Sequence, residues 1–149
     1  MDLSISSRPM HRESSLARAD WAAVPPPVVH RRTVAALAKW RLNKATDFIE
    51  ANLATPILLA DMAAAAGLTR MHFAAQFRAA TGLRPREYLL RRRIERAQAL
   101  LATPEVSLVD AALSVGFQTQ AHFSAVFRRF VGQTPGGWRR VNLGMSGNH

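Results

Sequence analysis

The chain has 149 residues, nearly half of them apolar, and its 20 lysines and arginines against 10 aspartates and glutamates give a formal charge of +10. That length and composition suit a folded domain with a core of its own rather than a disordered chain. There is no cysteine, which excludes disulfides, cysteine-based zinc sites and cysteine nucleophiles. The positive charge, almost all arginine, draws the chain toward polyanions, of which nucleic acid is the commonest.

Residues 1–32 read as a basic tail that ends in Pro25-Pro26-Pro27, a run that favours extended polyproline II and resists helix. Disorder is expected there, and the stretch is too short for a ligand-sensing domain. Met1 to Met10 lacks the apolar core of a signal peptide. The longest apolar run, Pro56 to Leu68, is broken by Asp61 and falls short of the about 20 residues of a membrane span. A cytoplasmic, nucleoid-associated protein is expected.

From Thr33 the apolar spacing turns helical. Leu42, Ala45, Ile49 and Leu53 recur every three or four residues with Phe48 beside them, which predicts a helix running to about Leu53. No stretch alternates strictly, so no strands are predicted. A long helix is predicted over 85–102: Pro85 suits its first turn, and Leu90, Ile94, Ala97 and Leu101 form an apolar stripe. The pattern breaks at Pro104. Ser107 followed by Asp110 then reads as an N-cap with an acid at the third helical position.

An internal repeat is the most informative feature. Ala60 to Tyr88 and Val109 to Trp138 align at an offset of 49 up to Gly67 and Gly116, and of 50 after them, with Gln118 as the extra turn residue. His72-Phe73 matches His122-Phe123, Phe77-Arg78 matches Phe127-Arg128, Gly82 matches Gly132, Pro85 matches Pro135, and Tyr88 matches Trp138. Each copy predicts a short helix ending at a left-handed glycine, an apolar residue tucked inward, and a second helix capped by Thr69 or Thr119. Ala63 and Ala112, one turn before the glycines, leave room for the second helix to cross. Helix, tight glycine turn, helix is the helix-turn-helix layout. Two ordinary helical hairpins would show the same outline; two matched copies in a strongly basic chain favour DNA binding.

The segments LADMAAAAGLTRMHFAAQFRAATGLRPREYLLRRRIERAQALL and SLVDAALSVGFQTQAHFSAVFRRFVGQTPGGWRR resemble the DNA-binding domain of the AraC/XylS family of bacterial transcription regulators, and the likeness covers about Trp40 to Val141. The resemblance implies an all-α fold of seven helices: two helix-turn-helix subdomains, about 57–82 and 107–132, joined by the long helix and closed by a last helix over 135–141. The domain is expected over 33–143, with 144–149 frayed. A 17-residue rod spans roughly 25 Å, which suits recognition helices about one DNA turn, roughly 34 Å, apart.

The resemblance also implies which residues meet double-stranded DNA. Phe73, Phe77, Phe123 and Phe127 share the inward faces of the two recognition helices, by their spacing. The outward positions are Thr69, Arg70, Met71, Ala74, Ala75 and Arg78 in the first unit. In the second they are Gln118, Thr119, Gln120, Ala121, Ser124, Ala125 and Arg128. Arg70 suits a bidentate contact to guanine, Gln120 to adenine, and Met71 with the alanines suits thymine methyls; Arg78 and Arg128 suit phosphates. Alanine stands where larger polar residues often sit in the family, which weakens direct readout by the first helix and leaves room for shape readout.

His72 and His122, third in each recognition helix, suit polar contacts at the helix start or to a phosphate rather than a metal site, because equivalent positions in two units lie apart. Arg91, Arg92, Arg93 and Arg96 have two readings, a solvated face paired with Glu87 and Glu95 or phosphate contacts; Arg93 is the phosphate candidate. No cofactor or metal is expected. No Walker loop, G-x-S-x-G, H-E-x-x-H or cysteine nucleophile is present, which argues against an enzyme. The resemblance favours a monomeric activator that touches RNA polymerase. Two alternatives stand beside it: a non-specific architectural DNA-binding protein, and a truncated regulator lacking its effector domain.

Overall fold

A computed structural model describes residues 34–144. The disorder expected over 1–32 lies outside the described residues, as does the frayed end apart from Gly144. Among the described residues there are seven helices and no strand: α1 (Lys39–Ala51), α2 (Leu59–Ala66), α3 (Arg70–Thr81), α4 (Pro85–Leu101), α5 (Leu108–Ser114), α6 (Gln120–Val131) and α7 (Pro135–Asn142). The all-α class is as expected.

Most boundaries follow from capping chemistry. Ser107 accepts a hydrogen bond from the Asp110 amide at 2.9 Å and starts α5. Thr134 does the same for the Gly137 amide at 3.1 Å and starts α7, with Pro135 at its first position. Asp61 closes the start of α2 by accepting from the Leu58 amide at 3.0 Å. These caps satisfy amides that have no partner inside the helix.

The start of α1 departs from its apolar spacing. Val34–Ala38 are not helical, and the helix begins at Lys39. Leu37 is buried, and its amide donates to the Gln76 carbonyl of α3 at 3.1 Å. A backbone bond to another helix takes the donor that an α-helical turn would use, so Leu37 packs as a non-helical anchor. The helix also stops at Ala51, two residues early, and Leu53 buries from the following turn.

Two cores form, one per repeat. The first gathers Ala45, Ile49, Leu53, Met62, Ala63, Ala66, Phe73, Phe77 and Leu89. The second gathers Leu90, Ile94, Ala97, Leu101, Ala112, Val115, Phe117, Phe123 and Phe127. The four recognition-helix phenylalanines are fully buried, as their spacing predicts; truncating one to alanine costs about 3–5 kcal/mol in a typical core. An aromatic from the next helix closes each core: Tyr88 meets Phe77 edge-on at 5.3 Å, and Trp138 meets Phe127 at 6.0 Å.

The long helix α4 is therefore more than a spacer. Its stripe of Leu90, Ile94, Ala97 and Leu101 builds the second core, while Leu89 on another face completes the first. It stands to α5 and α6 as α1 stands to α2 and α3. Arginines repeat the relationship: Arg41 of α1 donates to the Ala66 and Gly67 carbonyls at the first turn, and Arg93 of α4 lies against Gly116 at the second. Gly67 and Gly116 take φ of 75° and 97°, backbone conformations that a side chain strongly disfavours.

Candidate nucleic-acid interface

In α3 the first turn is set by Thr69, whose Oγ1 accepts from the His72 amide at 3.4 Å and lies 3.1 Å from the His72 ring Nδ1. The cap thus occupies both side chains at the helix start. With Phe73 and Phe77 inward, Arg70, Met71, His72, Ala75 and Arg78 are exposed and Ala74 is half-buried. Met71 is 80% exposed, more than any other large apolar side chain that the structure describes. The domain core gives no reason for an apolar residue there.

The second recognition helix, α6, repeats this arrangement. Thr119 Oγ1 accepts from the His122 amide at 3.1 Å. The His122 ring packs edge-on against Phe117 at 5.2 Å. Gln118, Thr119, Gln120, Ala121, His122, Ala125 and Arg128 are exposed, and Ser124 is half-buried. Leu68 and Phe117 pack inward after their glycines, each amide reaching back to the alanine carbonyl five residues earlier, Ala63 at 2.9 Å and Ala112 at 3.0 Å.

The helix ends are charged to match. Asp61, Glu87 and Asp110 stand in the first turns of α2, α4 and α5, whereas α3 and α6, like α1 and α7, carry no acid there. The positive ends of the recognition helices are left uncompensated, an arrangement that favours an anion such as a phosphate.

The arginines, alike in sequence, separate into two groups by their partners. Arg92 pairs with Glu50 at 2.6 Å and with Glu95, holding α4 to α1. The pairing draws the Glu50 carboxyl below its usual range, chiefly through the Arg92 hydrogen bond. Arg91 stands 3.9 Å from Glu95. Glu87, expected to serve the same arginine run, instead pairs with Arg129 of α6 at 2.8 Å. Arg139 donates to the Leu101 and Thr103 carbonyls at 3.1 and 3.3 Å and also to Val106, securing the chain after α4.

Arg93 corrects a sequence-based expectation. The phosphate candidate is buried, 7% exposed, and donates to the Leu53 and Thr55 carbonyls at 3.0 and 2.7 Å. Burial, and then the nearby charge of Arg86, hold its pKa below the ordinary arginine value. Arg91 and Arg92 before it are solvent-accessible and only Ile94 after it is buried, so its place in an arginine run gave little sign of burial.

The second group has no such partners. Among the described residues no carboxylate lies within 4.0 Å of Arg70, Arg78, Arg84, Arg86 or Arg128. Arg84 and Arg86 flank Pro85 at the start of α4 and were not singled out by the sequence; their signal was two arginines between the first recognition helix and its linker.

Tandem helix-turn-helix units, each with one exposed, acid-free recognition helix, define a DNA-binding module. Residues 62–141 match the family described as "Helix-turn-helix domain". The chain is 34% identical over 97 residues to the HTH-type transcriptional activator AarP of Providencia stuartii, covering 65% of this chain and 72% of that protein. It is 35% identical over 89 residues to the probable transcriptional regulator LumQ of Photobacterium leiognathi, covering 60% of this chain. The chain spans 36% of the length of LumQ. The solved DNA-binding domain of the global transcriptional factor AdpA, in complex with a target DNA, superposes with a TM-score of 0.66 at 27% identity, over 73% of this chain and 98% of that one. The chain belongs to the AraC-type helix-turn-helix family. No helix among the described residues is long and apolar enough to cross a membrane.

Proposed function

We propose that the chain is a sequence-specific transcription regulator that lays α3 and α6 into successive major grooves on one face of a duplex, through a DNA-binding domain spanning 33–143. The observation that carries this is the matched pair of recognition helices, alike in cap, turn and inward phenylalanines, each presenting an exposed face that bears arginine and no acid. Arg70 reads guanine and Gln120 reads adenine, while Met71, Ala74, Ala75, Ala121 and Ala125 lie against thymine methyls and Ser124 adds a polar contact. Arg78, Arg128, His72, His122 and Gln118 take phosphates, and Thr69 and Thr119 serve first as caps.

Two units in one chain make a dimer unnecessary, so the chain acts as a monomer in the cytoplasm. Likeness to the activator AarP supports activation, and the contact proposed for it is with RNA polymerase. Binding, not catalysis, is the activity.

Selection of bound sites from random duplexes at two salt concentrations tests this. The expected result is a preferred motif in two segments that persists at the higher salt. Binding that falls steeply with salt and shows no preferred site would favour the architectural reading, to which the alanines of α3 lend some support.

A further inference from the structure

Two cavities lie side by side between the recognition helices. The larger, about 530 Å3, is bounded by Ala74, Ala75 and Arg78 of α3, by the α2 start, and by Arg84 and Arg86. The smaller, about 430 Å3, reaches Gln118, Thr119 and His122 at the start of α6. Ile57, Leu58, Arg86 and Leu89 line both. Together they make one concave strip from the first recognition helix to the second, with an apolar floor and arginines along it.

We infer that this strip seats the sugar-phosphate strand that crosses between the two major grooves, with Arg86 and Arg84 as its phosphate contacts. The chemistry fits that occupant on both counts. Arg78, Arg84 and Arg86 lack a carboxylate within 4.0 Å among the described residues, so their charge is available to an anion. Leu58 is 65% exposed at the floor, where a deoxyribose would cover it. Arg86 lines both cavities, so its phosphate lies between the half-sites. A contact there carries no base information: it strengthens binding to every sequence and sets how the two helices register on the duplex.

Arg84 and Arg86 act this way only if a duplex lies across α3 and α6 as proposed above. The experiment therefore begins with the unaltered chain and its selected duplex. Affinity is measured from low to high salt for this chain and for an Arg84→Ala, Arg86→Ala double variant, with thermal unfolding monitored to show that both fold. Two lost phosphate contacts lower the slope of log Kobs against log salt by about 1.8 in magnitude, and the base preference stays the same. Replacing the phosphates between the half-sites with neutral methylphosphonates then weakens the unaltered chain but leaves the double variant nearly unaffected. A folded double variant with the original slope, or an equal methylphosphonate penalty in both proteins, overturns the inference. Absence of any preferred site for the unaltered chain would instead count against the function proposed above.

Discussion

The guanidinium of Arg93 lies against the α-carbon of Gly116: a Cβ at that glycine would come within 2.9 Å of the arginine Cζ and Nε and overlap the Leu53 carbonyl oxygen. The same arginine bonds to Leu53 and Thr55. One buried side chain thus joins the segment that follows α1, the middle of α4 and the turn of the second helix-turn-helix unit. It fixes the placement of that turn against the first unit, and with it the placement of α6.

Gly116→Ala is expected to be the most damaging of the turn-glycine substitutions. It combines a left-handed backbone with a backbone oxygen that cannot move aside, so a loss of about 3 kcal/mol or more is expected. At Gly132, where φ is 90°, a methyl group would meet nothing within 4 Å, so Gly132→Ala carries the backbone strain alone, about 1–2 kcal/mol. Urea unfolding of the two variants measures the difference; equal losses would show that the close approach of Leu53 and Arg93 to Gly116 is unimportant.

Arg93→Met keeps most of the volume but leaves two carbonyl oxygens without their donor. A loss of about 2–4 kcal/mol is expected by urea unfolding. If Arg93 contacted phosphate, the folded variant would also show a shallower salt dependence of DNA binding. An unchanged salt slope is expected instead.

Much of this was legible in the sequence, for identifiable reasons. Helix boundaries at Thr69, Ser107 and Thr119 depend on side chains acting on amides three residues away, and the inward phenylalanines declare themselves by spacing. Two features were hidden. Leu37 lies in the stretch read as helical from Thr33 yet stands outside the helix, its amide held by the Gln76 carbonyl, a partner far along the chain. Arg93 sits in a run of arginines whose fates depend on Leu53, Thr55 and Glu50, all supplied by tertiary packing. Local pattern carries no record of such partners. The outward residues of α3 and α6 were nameable because the repeat aligned them.

Glu50 and Arg92 make a partly exposed pair, so Glu50→Gln is expected to cost no more than about 1 kcal/mol near neutral pH. The folded carboxyl has a lowered pKa. Its contribution is therefore complete above the ordinary glutamate range and disappears as pH falls through the depressed folded value. Acid titration of stability should bring the variant and the unaltered chain together at low pH; a gap that persists there would assign the loss to packing.

Arg70→Ala and Gln120→Ala are each expected to cost roughly 1–3 kcal/mol in binding and to relax preference at one base pair. Competition binding with single-base variants of the selected site reads both effects. If neither variant alters affinity or preference, these residues are not the readers.

The most direct test of the account is the spacing between the two half-sites. Affinity is measured for the selected duplex and for versions with 5 or 10 base pairs inserted between its segments. With α3 and α6 held in one body by Arg93, the chain is expected to lose its two-segment affinity with either insertion and to retain only the weak binding of one segment. Undiminished affinity for the lengthened duplexes would contradict simultaneous reading by two rigidly placed helices.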